Sequence, residues 1–105
     1  VNSKATVCDD CIINSRALVE HGCYVANHVN ISTNSVINGD VRVGEGSFIG
    51  SCSVTNGQTH IGKWTVVGSG SVVTHYVDDY MIVAGVPATV IKSNKMESDE
   101  VLGNG

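Results

Sequence analysis

A six-residue repeat runs through most of this sequence and constrains its fold more than any other feature. Every sixth residue from Val1 to Val73 is Val or Ile, with the single exception of Thr55. The position four residues after each of these is also regular, and from Ala5 to Val77 it holds only Ala, Cys, Ser, Thr or Val. A fixed short period is typical of solenoid architectures. Each hexad is therefore predicted to be a short strand followed by a turn.

The composition supports an all-β fold. Val occurs 18 times and Ile 8 times, whereas Leu occurs twice, and β-branched side chains favour extended backbone. In a narrow prism, one aliphatic side chain per hexad points inward beside a small residue, which accounts for an aromatic content of 5%. We predict a single parallel β-helix with three hexads per coil, so that residues eighteen apart stack at a spacing of about 4.7–4.9 Å. The repeat gives about four coils, with Gly and Asn at corners that need positive φ.

The regular hexads are predicted to end near Val77. A strand at 81–84, a turn at 85–88 and a last strand at 89–92 follow. We place one domain at residues 1–92 and a polar C-terminal tail at 93–105, where acidic residues are frequent. A short solenoid exposes unpaired strand edges, and with the outward aromatic residues this predicts a symmetric assembly.

Charge and cysteine spacing exclude several classes of function. The formal net charge of −4 offers no basic surface for phosphate backbones, which argues against a nucleic-acid partner. No apolar run is long enough to span a membrane and no signal peptide is evident, so a cytoplasmic protein is predicted. The Cys8-x-x-Cys11 pair has no second Cys or His pair at a suitable distance, and no metal site is predicted. Cys11 and Cys23 fall in the small inward column and are interpreted as core residues.

Three segments resemble a known family. The hexad run, Gly68-Ser-Gly-Ser-Val-Val73 and Val83-Ala-Gly-Val-Pro-Ala88 resemble the left-handed β-helix acyltransferases of the hexapeptide family. More narrowly, Leu18-Val-Glu-His-Gly-Cys23 and Asn38-Gly-Asp-Val-Arg-Val-Gly44 look like sugar acetyltransferases of the sialic acid (NeuD) and bacillosamine (PglD) type. The resemblance covers about residues 5–92. It implies a left-handed coil, acetyl-CoA as co-substrate, a sugar acceptor and a homotrimer with active sites between subunits.

The resemblance also implies site residues. His21 matches the general base, and Asn30 matches a position that contacts the thioester end of acetyl-CoA. Gly39 matches a residue whose backbone N–H faces the acetyl carbonyl, and Ser51 and Ser69 match positions that contact the coenzyme through backbone groups. Independently, the eighteen-residue coil predicts that His21 and Gly39 stack on adjacent coils of one edge, as Ser51 and Ser69 do. A base beside an open N–H is what acyl transfer needs.

Two departures from the family keep alternatives open. Bacillosamine-type enzymes carry a carboxylate directly after the catalytic histidine, where this chain has Gly22. They also usually carry a Rossmann-like N-terminal sugar-binding domain, so the chain is either a fragment or a stand-alone enzyme that holds its acceptor differently. The leading hypothesis is acetyl transfer to a hydroxyl or amine of a sugar, either sialic acid or a nucleotide-linked amino sugar. The alternatives are a non-catalytic trimerisation module and a hexapeptide acetyltransferase with a non-sugar acceptor.

Overall fold

The computed structural model describes residues 1–2 and 4–94, which form a left-handed parallel β-helix without an α-helix. Twelve two-residue strands in this range build the coils, and two longer strands close the C-terminal end. In chain order they are β1 Thr6–Val7, β2 Ile12–Ile13, β3 Leu18–Val19, β4 Tyr24–Val25, β5 Asn30–Ile31, β6 Val36–Ile37, β7 Arg42–Val43, β8 Phe48–Ile49, β9 Val54–Thr55, β10 His60–Ile61, β11 Val66–Val67, β12 Val72–Val73, β13 Met81–Ala84 and β14 Thr89–Ser93. The predicted fold class is confirmed.

The strands form three sheets, which are the faces of a prism. Face A contains β1, β4, β7 and β10; face B contains β2, β5, β8, β11, β13 and β14; face C contains β3, β6, β9 and β12. Neighbouring strands in the coils are parallel with a register of eighteen residues, as in the pairs of Thr6 with Tyr24 and of Tyr24 with Arg42. The predicted coil length is therefore correct. Four-residue turns connect the faces and form the A/B, B/C and C/A corners.

The prism interior consists of the two predicted columns. Side chains of the aliphatic column, such as Ile31, Ile37 and Ile49, are fully buried. The small column is buried beside it, and its hydroxyl groups bind backbone carbonyls: Ser35 Oγ donates to Ser32 O and Ser53 Oγ donates to Gly50 O. Burial of these polar residues is tolerated because the hydroxyl groups are hydrogen-bonded.

Thr55 is the exception in both sequence and structure. Its Oγ1 is buried in the aliphatic column and makes no hydrogen bond to a described residue. Replacing Thr55 with Val is expected to raise the free energy of unfolding by about 1–2 kcal/mol, because an unsatisfied buried hydroxyl is removed. Chemical denaturation measures the change.

A matched control for Thr55→Val is Thr65→Val. Thr65 is equally buried, but its Oγ1 donates to Asp78 O at 2.9 Å. This substitution is expected to lower stability. Equal effects of the two changes would contradict the role assigned to the Thr55 hydroxyl.

The corners differ from the prediction in which residues adopt positive φ. One residue per corner does so along much of the chain, but the set includes Asp10, Arg16, His28, Cys52 and Trp64, and Asn34 is the single Asn in it. The glycines that follow the aliphatic position have another role. A Cβ on Gly50 would lie 2.6 Å from Ser69 N, so these glycines permit the next coil to approach closely.

The last coil is two residues shorter than the others. Val77 pairs with Ile61 and Ile82 pairs with Val66, each at a register of sixteen. Val77 therefore stacks on Ile61 in the aliphatic column, so its assignment to the small column was wrong. β13 and β14 form an antiparallel hairpin whose turn occupies 85–88, as predicted. Of the predicted tail at 93–105, Ser93 belongs to β14 and residues 95–105 lie outside the described residues.

Candidate functional site

His21 and Gly39 lie one above the other at the C/A corner. His21 belongs to the turn between β3 and β4, and Gly39 to the turn between β6 and β7. Asp40 N donates to His21 O at 3.0 Å, and Gln58 N donates to Gly39 O at 2.9 Å. These bonds continue the coil-to-coil stacking through the corner. The predicted stacking of His21 and Gly39 is therefore present in the structure.

Both groups are accessible to a ligand. The His21 side chain is exposed, and its ring makes no hydrogen bond to a described residue. The Gly39 N–H has no hydrogen-bond acceptor in the described part of the chain. A Cβ at Gly39 would meet only His21 O, at 3.5 Å, so the space beside the amide is open. The corner thus places an imidazole one coil from a free backbone donor.

The Asp40 carboxylate lies against Gly22, the residue that follows His21. Gly22 has a φ of +78°, and a Cβ on it would collide with Asp40 Oδ1 and lie 3.2 Å from Asp40 Cγ. The Asp40 side chain therefore fills the space that a side chain at position 22 would occupy. Sequence reasoning missed Asp40 because it compared His21 with its chain neighbour. Gly22 and Asp40 are eighteen residues apart, so the coil length itself indicates that they stack on adjacent coils.

Cys23, two residues after His21, is a core residue. It is 1% exposed, and its Sγ donates to Asn38 O at 2.9 Å. Burial raises the pKa of the Cys23 thiol. A buried neutral thiol is a poor nucleophile, so Cys23 is not a candidate nucleophile.

Ser51 and Ser69 stack at a different corner. Both lie at the B/C corner, where Gly70 N donates to Ser51 O at 2.9 Å. The backbone N–H groups of Ser51 and Ser69 have no acceptor among the described residues. They are therefore available to a ligand, as His21 and Gly39 are at the C/A corner.

Asn30 lies on a third part of the prism. It is in β5 on face B, and Asn14 Nδ2 donates to Asn30 Oδ1 at 3.4 Å. One chain therefore brings His21 together with Gly39 and Ser51 together with Ser69. It does not bring the two pairs together, nor either pair together with Asn30.

The paired cysteines near the N-terminus point in different directions. Cys11 Sγ donates inward to Ala26 O at 2.9 Å, whereas Cys8 Sγ contacts the Tyr24 hydroxyl at 3.3 Å. In the described ranges, no three His, Cys, Asp or Glu side chains are close enough to hold a metal ion. These ranges also contain no apolar helix with the length that a bilayer requires.

Comparison with known proteins gives matches at the level of structure. No protein-family model matches the sequence, and no curated protein matches it in a sequence comparison. A mutant of GDP-perosamine N-acetyltransferase from Caulobacter crescentus, solved with CoA and GDP-perosamine, superposes with a TM-score of 0.76 and 31% identity over 86% of this chain. The chain resembles the hexapeptide-repeat acyltransferases. The predicted resemblance is confirmed.

Other acetyltransferases share this β-helix. The acetyltransferase domain of PglB from Neisseria gonorrhoeae matches 86% of the chain with a TM-score of 0.68 and 24% identity. Serine acetyltransferase from Neisseria gonorrhoeae matches 97% of it with a TM-score of 0.87 and 19% identity. This chain spans 43% of the perosamine N-acetyltransferase, 53% of the PglB acetyltransferase domain and 44% of the serine acetyltransferase. It therefore corresponds to about half of their length.

Proposed function

We propose that this chain binds acetyl-CoA and transfers the acetyl group to a hydroxyl or amine of a sugar. The observation that carries the proposal is the C/A corner, where the exposed His21 ring lies one coil from the free N–H of Gly39. The similar perosamine enzyme was solved with CoA and a nucleotide-linked sugar. The proposal assigns acetyl-CoA as co-substrate and an amino or hydroxyl sugar as acceptor.

In the proposed reaction, His21 acts as the general base. Its imidazole takes the proton from the acceptor hydroxyl or amine as the acceptor oxygen or nitrogen attacks the thioester carbon. The carbonyl oxygen then gains negative charge and accepts a hydrogen bond from Gly39 N–H. When the C–S bond breaks, the thiolate of coenzyme A takes the proton from the imidazolium. The proton that leaves the acceptor thus ends on the thiol of coenzyme A, and no other reactant is consumed.

Asp40 fixes the backbone beside His21 in this proposal. Its carboxylate lies against Gly22, the residue that follows His21, and its N–H donates to the His21 carbonyl oxygen. The space beside position 22 is thus filled from the next coil.

The remaining predicted contacts fit a coenzyme that lies along the prism axis. His21, Asn30, Gly39, Ser51 and Ser69 follow one another along the axis over about 13 Å, at the usual strand spacing. Because they occupy different corners and faces, one coenzyme can reach all of them only in a groove between two chains. The proposal therefore includes a homotrimer in which neighbouring chains form each active site.

Face C supports such an assembly. Its outward residues are Leu18, Val36, Val54 and Val72, an aliphatic column with Leu18 42% exposed. The three valines are half-buried, and a partly exposed apolar strip of this kind is typical of an interaction surface. The cytoplasmic location and the division into a domain at 1–92 and a tail at 93–105 remain predictions within this proposal.

Two alternatives have observations in their favour. Gly22 in place of a carboxylate favours a non-catalytic trimerisation module. A truncated serine acetyltransferase, 25% identical over 84% of this chain, favours a non-sugar acceptor. Calorimetric titration with acetyl-CoA tests the first alternative, since a scaffold shows no saturable binding. Acetylation of an amino-sugar panel and of serine, followed by mass spectrometry, tests the second.

A further inference from the structure

A cavity lies at the C-terminal end of the prism. It measures about 540 Å³ and is formed by residues of the segment 73–78, of β13 and of the segment 88–90. Its floor consists of Val73, Val77 and Val83, the last aliphatic side chains on faces C, A and B. In the part of the chain that the structure describes, no further coil follows to cover this layer. The cavity is therefore the open end of the hydrophobic core.

Apolar side chains continue from the floor into the walls of this cavity. Met81 of β13 lines it, as do Ala88 and Val90. Val90 pairs with Val83 in the antiparallel hairpin, so the two side chains point to the same side of the sheet, and Val90 remains 59% exposed. Small-molecule sites commonly have volumes of about 300–1,000 Å³ and a mainly apolar lining. The cavity has the size and the lining of such a site.

The exposed rim of the cavity carries an unpaired carboxylate. Asp78 belongs to the lining and is exposed. Within residues 1–2 and 4–94, its carboxylate makes neither an ion pair nor a hydrogen bond. Neither Lys nor Arg is among the described residues that line the cavity. The negative charge of Asp78 is therefore uncompensated at this end of the prism.

Tyr76 adds an aromatic surface to the same rim. Its side chain is exposed, and its ring is held edge-on against His60 with 4.8 Å between the centroids. The face of a Tyr ring attracts a cation, and a carboxylate attracts it as well. The formal net charge of −4 adds a long-range attraction of the same sign. The rim therefore favours a positively charged group above an apolar floor.

We propose that this cavity binds a small organic cation, an amine whose apolar body lies on the valine floor and whose ammonium group lies on Asp78 and Tyr76. His75, which also lines the cavity, follows His21 by three coils, so the two lie about 14 Å apart along the axis. An amine bound there is a ligand of the prism end and not the acceptor at the C/A corner. The inference does not depend on acetyl transfer.

Calorimetric titration of the whole chain with three indole compounds tests the inference. Tryptamine, tryptophol and indole-3-acetate share one apolar body and carry a positive, a neutral and a negative head group. Wild type is expected to bind tryptamine saturably, one molecule per chain, tryptophol more weakly and indole-3-acetate most weakly. Asp78→Asn is expected to weaken tryptamine binding about five- to tenfold, between the values for an exposed ion pair and for a charged hydrogen bond, and to leave tryptophol unchanged.

Glu45→Gln is the matched control for the loss of one negative charge. Glu45 is exposed at the A/B corner and does not line the cavity. Its tryptamine affinity is expected to equal that of wild type. Ala88→Leu tests the apolar part, because three added carbon atoms in the lining are expected to weaken tryptamine and tryptophol alike. Thermal melting followed by circular dichroism shows whether Ala88→Leu is folded, and if it is not, Asp78→Asn decides alone.

The absence of saturable tryptamine binding overturns the inference. Equal affinities for the three compounds, or an unchanged tryptamine affinity in folded Asp78→Asn or folded Ala88→Leu, overturn it as well. Analytical ultracentrifugation of the same samples reports whether a second copy covers the prism end. Self-association that Ala88→Leu abolishes, in a chain that binds no tryptamine, assigns the cavity to a second copy and rejects the amine.

Discussion

Replacing His21 with alanine is expected to lower acetyl transfer by about 10²–10⁴-fold, the usual contribution of a general base. The fold is expected to persist, because the His21 ring is exposed and makes no hydrogen bond to a described residue. The loss falls on kcat, since the imidazole acts on the proton that leaves in the transition state. Measuring kcat for the acetylation of a sugar acceptor gives the effect.

His28→Asn is the control for His21→Ala. His28 is also exposed but lies at the A/B corner with a φ of 62°, a conformation that Asn tolerates. Its kcat is expected to equal that of wild type. A His21→Ala chain that retains its assembly and more than half of its acetyl transfer would falsify the assignment of the base.

Replacing Ile49 with alanine is expected to lower the free energy of unfolding by about 2–5 kcal/mol. Ile49 is fully buried in the middle of the aliphatic column, between Ile31 and Val67 of the adjacent coils. A prism this narrow has little freedom to close around the cavity, because each coil is bonded to those above and below. Equilibrium denaturation in urea measures the loss.

Ile91→Ala controls for the intrinsic effect of the Ile-to-Ala change. Ile91 lies in β14 and is 61% exposed, so truncation removes little buried area. Its expected effect is below about 0.5 kcal/mol. Comparable destabilisation by the two substitutions would show that the aliphatic column does not carry the stability of the coil.

The hexad pattern predicted the prism because its cause is local and repeated. Each coil must bury one aliphatic and one small residue at a fixed step, so the sequence records the geometry directly. The same arithmetic predicted that His21 stacks with Gly39. The repeat did not predict the shortened last coil, in which Val77 pairs with Ile61. Val occurs in both columns of the repeat, so a Val at position 77 does not show that this coil is two residues shorter.

The corners were less predictable than the faces. Positive φ at Asp10, Arg16 and Trp64 is imposed by coil closure and hydrogen bonds between coils, which override the preference for Gly and Asn. Asp40 was missed for a related reason. Its contact with Gly22 joins residues that are neighbours only after the coil has closed.

The most direct test of the proposed function is acetyl transfer by the purified wild-type chain. The chain is incubated with acetyl-CoA carrying a heavy-isotope acetyl group, together with the panel of amino-sugar and hydroxyl-sugar acceptors, and the products are analysed by mass spectrometry. The structure-based proposal predicts labelled acetyl sugar and an equal amount of free coenzyme A, both lost in His21→Ala. Saturable binding of acetyl-CoA without any acetylated sugar, or the same yield from wild type and His21→Ala, would contradict it.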